Sequence, residues 1–586
     1  MSINRYYEKE LIALRVMGKE FADNNPALAP FFNTPGKDPD VERILEGVAF
    51  LTGRLREKLD DELPEITYSL FNLLWPNYLR PLPACSVIQF LPPKSLSKSA
   101  LVPRDFLVQS DPVDGTPCMF RTAYDTEILP LALADLSFVT RDGESVMVLR
   151  FNSESATLDQ ITPRRLRLFL TGETTIVHTL YYLLVRKLRC LRISAVNEIR
   201  KETRLAELEP AVRPVGFAHD EFVYPYPPNS FAGYRILQEY FCFPEKFHFI
   251  DIDLGDSLGK ERLSQAGACR EFSLHCVLEE LPSNFEAYSK DNIRLFCTPV
   301  VNLFPRSASP FTLDHRQTEY RIVPDPRYPY HYAVHSVEHV ESWGTADKTY
   351  REYQPFESFE HKRGGEKAAY YRLRVQPSAT DESVETYISL VTEDDGALPQ
   401  NTTISMDLMC TNRMLPLQLG VGDIRRATDT GSAAVEFRNI IPVTPPFSPP
   451  LEGDTLWRLL SNMSLNYLPL TNINALRGIV ATYDFRAMHD SRRARVLERI
   501  LEGMVSIHMR ETDRIHEGLP LRGAVAELTL NQRKFSCEGD MFLFASALNE
   551  FLALYATVNS FHQLIVREEK SGEQYTWPPR LGRETL

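Results

Sequence analysis

Apolar residues recur at helical spacing at the start of the chain and at strand spacing through its middle. Tyr7, Leu11, Leu14 and Phe21 fall near one helical face. Val41, Ile44, Leu45, Val48, Leu51, Leu55 and Leu59 form a longer stripe, opposed by Glu42, Arg43, Glu46, Arg54 and Lys58. Asp38-Pro39 supplies a cap followed by proline at the first helical position, so helices are predicted over residues 1–80. A stripe this long on a short helical segment suits the protein's own core or a bundle shared with helices of another chain. Trp75-Pro76 and Pro81-x-Pro83 end the region, because each ring fixes a backbone angle and removes an amide donor.

From Cys85 the pattern turns to short β-like runs, Ser86 to Leu91, Ser145 to Phe151 and Leu166 to Leu170, divided by Asp114-Gly115 and Asp142-Gly143 turns. One helical face, Val177, Leu180, Tyr181, Leu184 and Leu188, interrupts them at 174–189. Between Cys297 and Pro326, the β-formers Val300, Val301, Leu303 and Phe304 are joined through proline-punctuated chain to a second strand pattern at Glu319 to Val323. Two short strands on a stiff loop suit a surface for another chain better than a reaction pocket. The five prolines from Pro442 to Pro450 predict an extended linker. Beyond it, 456–468, 494–507 and 541–556 read as helices, and Ala526 to Leu530 and Phe561 to Val566 as strands. The predicted fold class is multidomain α+β. It comprises a helical N-terminal segment (1–80), a β-rich mixed middle region (81–441) of more than one subdomain, a Pro-rich linker (442–455) and a compact α+β C-terminal domain (456–586).

At 586 residues the chain exceeds one ordinary core, and about three to four domains are expected. Hydrophobic residues at 43% and charged residues at 24% are ordinary for a folded globular protein, which excludes wholesale disorder. A net charge of -13 argues against nucleic acid as a partner, since that affinity rests on clustered cations. The short basic runs Arg164-Arg165-x-Arg167 and Arg492-Arg493-x-Arg495 read as solvated edges of a strand and a helix. Nine cysteines without a C-x-x-C pair read as buried filler, and Arg5, Glu8, Lys9 and Glu10 stand where a signal peptide would need an apolar core; both point to the cytoplasm. Met541 to Val558 is the most apolar run, but Asn549 and Glu550 interrupt it, so a buried helix is expected there and no direct membrane insertion.

Three constellations invite a chemical reading. Gly255-Asp-Ser-Leu-Gly259 follows a strand-like run and fits G-x-S-x-G, with Asp513 and His516 as a distant acid and base. It also resembles the block of the GDSL hydrolases, but the Gly-x-Asn-Asp segment of that family is missing and no block supplies oxyanion donors. Ser257 therefore reads as part of a strand-ending turn, and Asp513 and His516 as a solvated helix edge or turn. His331, His335 and His339 would share a face on a helix and mimic a metal cluster. Tyr330, Tyr332, Val334, Val337 and Val340 instead predict a strand, which would spread the three over roughly 26 Å. No phosphate-binding glycine loop is present, and neither a cofactor nor a metal is expected.

Blocks distributed in order along the chain carry a stronger signal. They are Tyr6-Tyr7-x-x-Glu10-Leu11-x-x-Leu14-Arg15, Asp38-Pro-Asp-Val-Glu-Arg-Ile-Leu-Glu-Gly47, Leu59-Asp-Asp-Glu-Leu-Pro64 and Leu74-Trp-Pro-Asn-Tyr-Leu-Arg-Pro81 near the start. Phe243-Pro-Glu-Lys-Phe247, Thr411-Asn-Arg-Met-Leu-Pro416, Trp457-Arg-Leu-Leu-Ser461 with Leu465-Asn-Tyr467, and Asn559-Ser-Phe561 with Trp577-Pro-Pro-Arg580 follow. Together with the Cys297 segment they closely resemble the TssF family, baseplate wedge subunits of bacterial type VI secretion machines. Met414 stands where that family usually carries a charged residue.

The resemblance implies a noncatalytic, cytoplasmic component of a contractile, phage-tail-like baseplate. Two copies would embrace one TssG and associate with TssE, and six wedges would surround the spike hub and template the sheath. TssK would link them to the envelope complex at the cytoplasmic face of the inner membrane. A wedge protein of a related phage tail or contractile injection machine, or a GDSL-like serine hydrolase, are the alternatives. The N-terminal stripe, Tyr7, Leu11, Leu14, Phe21, Val41, Ile44, Val48 and Leu51, is the candidate partner interface.

Overall fold

The computed structural model describes residues 7, 11–12, 14, 39–60, 64–141, 143–197, 202–226, 232–259, 261–263, 269–314, 316–344, 350–356, 369–378, 383–392, 402–428, 435–451, 472–516, 519–553, 556 and 560–582. The chain forms two compact units, Met1–Phe71 with Leu451–Leu460, and Asn72–Pro450 with Ser461–Leu586. Strands dominate the larger unit and the smaller one is helical where described, so the multidomain α+β class holds.

In the smaller unit, helix α1 spans Pro39–Asp60 and helix α2, Pro64–Leu74, begins there. Both start at a proline, whose missing amide costs nothing in the first turn.

The larger unit opens on the Trp-Pro-Asn-Tyr block, which forms an aromatic knot. Trp75 and Tyr78 are fully buried, and the Trp75 ring lies 5.3 Å from Tyr234 and 5.5 Å from Tyr483. Trp75 Nε1 donates to the Tyr226 hydroxyl (2.8 Å) and Asn77 Nδ2 to the Pro225 carbonyl (2.7 Å), so the donors of Trp75 and Asn77 are satisfied as well.

A six-stranded antiparallel sheet follows, in the order Ile424–Ala427, Leu107–Val113, Thr116–Thr122, Cys297–Val301, Cys85–Leu91 and Glu436–Asn439. The prolines after Pro442 lie alongside it. Leu82 and Phe447 exchange backbone hydrogen bonds of 2.8 and 3.0 Å, and the Thr444 hydroxyl accepts from Cys85 N. The helix expected at 456–468 lies outside the described residues.

The Cys297 segment serves three sheets. Cys297–Val301 is a buried inner strand of the six-stranded sheet. Phe304–Ser307 and Phe311–Leu313 both pair with Thr402–Thr411 in a five-stranded sheet, and Tyr320–Arg321 joins a four-stranded sheet with Ala369–Pro377 and Val384–Thr392. These last two sheets share one core, in which Ile404, Met406, Leu408 and Cys410 meet Val340, Tyr371 and Ile388. The sequence suggests two strands on a loop; the structure makes four short strands, because Pro299, Pro305, Pro310 and Pro324 limit how far any one ladder can run.

A buried amide pair pins the crossing point between sheets. Asn412 N donates to Asn302 Oδ1 (2.7 Å), Asn302 Nδ2 donates to Asn412 Oδ1 (2.9 Å), and Met119 N also donates to Asn412 Oδ1 (3.0 Å). Asn412→Ala removes the shared acceptor and strands two buried donors. It should cost about 1–3 kcal/mol, read as a lower urea midpoint with unchanged m-value.

The unit also carries α3 (Thr174–Val185), α4 (Ala232–Cys242), α5 (Ile473–Ala481), α6 (Ser491–Gly503) and α7 (Glu538–Ala553). Strand Leu188–Asn197 claims Leu188 from the helix expected at 174–189. The helix expected at 494–507 ends at Gly503, and Met504–His516 is a strand paired antiparallel with Leu519–Leu530. Apolar residues at 504, 505 and 507 satisfy either period over so short a run, and cross-strand pairing decides. Leu519–Leu530 lies parallel to Ser560–Glu568, with α7 as the crossover. Nearly all of α7 is buried, as expected of the apolar run at 541–556. It packs on α3 and α4 so closely that a Cβ at Gly539 would sit 2.1 Å from the His178 carbonyl oxygen.

Candidate functional site

On α1 the apolar stripe splits by tertiary environment. Ala49 is fully buried and Leu45 half-buried, whereas Ile44, Val48 and Leu51 are 66%, 41% and 63% exposed. Positions 44, 48 and 51 follow the i, i+4, i+7 spacing of one face, so the structure brings these three candidates together as an open apolar surface. Val41 lies on the same helix. Tyr7, Leu11 and Leu14 are helical and half-buried, and Phe21 lies outside the described residues. Ile12, 62% exposed, and Phe50, 45% exposed, were not in the sequence-based set, because each sits off the counted stripe.

Behind the open surfaces of the larger unit lies a charged interior built around the Phe243-Pro-Glu-Lys-Phe247 block. Lys246 and Glu239 form an ion pair with both side chains fully buried. Glu239 Oε1 also accepts from Val223 N (2.9 Å) and Tyr224 N (3.2 Å). Burial pulls the Lys246 ammonium down to about 8, against the opposing pull of Glu239. Gly216, at φ +107, admits this arrangement: a Cβ there would meet the Lys246 carbonyl oxygen at 3.2 Å and its side chain at 3.3 Å.

Next to it, Asp251 accepts a two-pronged contact from Arg167 (2.7 and 2.9 Å) and a third bond from Arg213 (3.1 Å). Burial alone would raise the Asp251 carboxyl, but the hydrogen bonds and charge of Arg167, with Arg165 and Arg213, hold it below the usual range. The run Arg164-Arg165-x-Arg167 is thus only partly a solvated edge: Arg164 is exposed beside Asp256, while Arg167 is drawn inward by the buried carboxylate. The Glu239–Lys246 and Asp251–Arg167 pairings tie neighbouring elements together.

The sequence candidates for chemistry are dispersed. Ser257 is buried in the turn after strand Phe249–Asp253, its amide donating to the Leu254 carbonyl (3.0 Å). Asp513 and His516 lie on strand Met504–His516 and not on a helix edge; three residues apart on a strand, they fall on opposite faces and cannot act as one base and its orienting acid. His331 Nδ1 contacts the Thr116 hydroxyl (2.7 Å). His335 is buried, and desolvation, with Arg80 and Arg121 nearby, holds it well below the usual histidine range; His339 faces Glu341 and Glu352. No group of three metal-ligating side chains forms among the described residues. All nine cysteines are free and seven are buried; burial pushes Cys118, Cys276 and Cys410 up to about 12, which removes the thiolate needed for reactivity. No described helix is long and apolar enough to cross a membrane.

A large β-rich chain with paired ions in its interior and an open apolar helical face is an interaction subunit in its anatomy. The family model described as "Type VI secretion system, TssF" matches residues 1–584, and the chain belongs to that family. It is 27% identical over 625 residues to type VI secretion system component TssF1 of Pseudomonas aeruginosa, covering 98% of each. Its fold matches a chain of the type VI secretion TssK-TssF-TssG baseplate subcomplex with a TM-score of 0.77 and 32% identity, over 93% of this chain and 99% of that one. A chain of the type VI secretion baseplate complex matches with a TM-score of 0.64 and 27% identity, over 99% and 100%.

Proposed function

We propose that the chain is a noncatalytic structural subunit of a type VI secretion baseplate. The end-to-end fold match to a chain of a TssK-TssF-TssG subcomplex carries this reading. Within it, the chain is a wedge component in the cytoplasm. It joins TssG at two copies per TssG, meets TssE and TssK, and helps surround the spike hub and start the sheath at the inner membrane's cytoplasmic face. The open face of α1 supports a shared helical bundle as the docking element, together with the helical residues Tyr7, Leu11 and Leu14.

Each of Ile44, Val48 and Leu51 gains about 1.5–3 kcal/mol when covered. Ile44→Asp with Leu51→Asp should therefore weaken copurification with TssG by roughly tenfold or more. Circular dichroism and melting of the isolated chain should stay unchanged, since these side chains face water there. Leu11→Asp and Leu14→Asp extend the test along the stripe. Undiminished complex formation in all of these variants would remove the stripe from the interface. For the noncatalytic part, Ser257→Ala should leave any background ester hydrolysis unaltered; turnover that vanishes with Ser257 would overturn it.

A further inference from the structure

We propose that the outer face of a second five-stranded sheet is a docking trough for an extended, acidic polypeptide segment of another protein. The sheet runs Glu202–Leu208, Leu188–Asn197, Cys269–Leu278, Glu144–Asn152 and Ala132–Arg141. Strand alternation divides its side chains into two layers. Met147, Leu149 and Phe151 point into the core, where the Phe151 ring stacks on Phe272 at 4.9 Å. The intervening positions face outward over a concavity of about 1020 Å³. Val146 and Val148 give it an apolar floor, continuous with Val277, and the buried hydroxyl-bearing side chains Ser194 and Ser273 lie beside them.

The rim is charged and unbalanced. Five arginines and three glutamates line the trough. Glu144 is committed to Arg192, Arg204 to Glu207, and Glu202 to Ser194 and His275. Arg141 and Arg150 form no ion pair among the described residues, although Asp135 stands opposite Arg150 across the ladder and the Arg141 charge is felt at Glu202, and Arg270 reaches only the Glu154 carbonyl oxygen (3.3 Å). Among the described residues, three guanidinium groups without an ion pair thus line the trough beside Glu271. The whole chain carries -13, so this local positive trough runs against the global sign. An acidic segment is attracted here and repelled elsewhere, which gives both affinity and register. The apolar floor favours a polypeptide over a nucleic acid. An extended chain alternating acidic and apolar residues would place its apolar side chains on Val146 and Val148 and its carboxylates toward Arg141, Arg150 and Arg270.

The test needs only the full chain, so its outcome is independent of the baseplate assignment. A fluorescent octapeptide of alternating glutamate and valine is titrated with the protein and followed by anisotropy. Saturable binding is expected, weakened by added salt and by roughly tenfold or more in Arg141→Glu/Arg150→Glu, but retained in Ile44→Asp/Leu51→Asp and in Arg150→Lys. A lysine-valine octapeptide should not bind. The inference falls if the glutamate-valine peptide fails to saturate, if the lysine-valine peptide binds equally, or if the charge reversals leave affinity unchanged while the fold is intact by circular dichroism. Tighter binding of an oligothymidylate than of the acidic peptide would also overturn it.

Discussion

Glu239→Ala should destabilise the larger unit by about 3–5 kcal/mol, the cost of leaving one member of a fully buried ion pair alone. Two losses combine. The Lys246 ammonium, already pulled down to about 8 by burial, loses the carboxylate that keeps it charged. The amides of Val223 and Tyr224 lose their acceptor at the same moment. Glu239→Gln keeps an acceptor for those amides and should cost less. Glu239→Met with Lys246→Met should recover much of the ionic part, because two apolar side chains replace two desolvated charges. Urea unfolding of the three variants forms the check. A Glu239→Ala protein as stable as the wild type would mean that the pair contributes nothing to holding α4 against the Phe243 to Phe247 turn.

Acidification from pH 7.5 to pH 5 should cost about 3 kcal/mol of stability or more, with most surface carboxylates still ionised. His248 and His562 are buried and neutral, with desolvation pulling them down to about 3 and about 4. An unfolded chain takes up those protons near pH 6.5, whereas the folded chain refuses them, so stability is full above that pH and falls as the pH drops through the window below it. Each contributes about 2 kcal/mol of loss at pH 5. Glu550 works the other way. Burial raises its carboxyl to about 6 despite Arg580, so protonation between pH 6 and 4.5 relieves the folded state by a little over 1 kcal/mol. The two histidines outweigh it, and His335, held well below the usual range, and His178, held down by burial against the pull of Asp540 at 3.6 Å, add to their side. Unfolding midpoints measured across this range should slope upward with pH. In His248→Gln/His562→Gln the slope should be clearly reduced, with His335 and His178 carrying the remainder; an unchanged slope would place the acid sensitivity elsewhere.

Much of the fold was legible in the chain because local periodicity and proline placement act on neighbouring residues. Pro39 marks a helix start, as its place after Asp38 predicts, and the buried helix at Glu538–Ala553 is announced by its continuous apolar run. Ordered blocks also carried the family, and three of them meet a local demand visible in the structure. The Trp75 block fills an aromatic knot, the Lys246 block closes a buried ion pair, and Asn412 pins two sheets together. The misread strand at Met504–His516 shows the limit: a short apolar run fits two periods, and only its ladder with Leu519–Leu530 selects one.

The candidate surfaces divide along the same line. Amphipathic spacing by itself nominated the α1 stripe, but it could not say that Ala49 turns inward while Ile44, Val48 and Leu51 stay open. The arginine-rimmed trough had no linear signature at all, because its floor and rim come from five strands between Ala132 and Leu278. The amino-acid order alone determined the helical start, the β-rich body, the absence of a phosphate loop and the family, all of which rest on contacts close along the chain. Tertiary structure alone decided which apolar faces remain exposed, which described charges form ion pairs, and where distant serines and histidines do and do not meet. Burial and pairing are properties of neighbours in space, and strands distant in sequence become neighbours only when the sheets close.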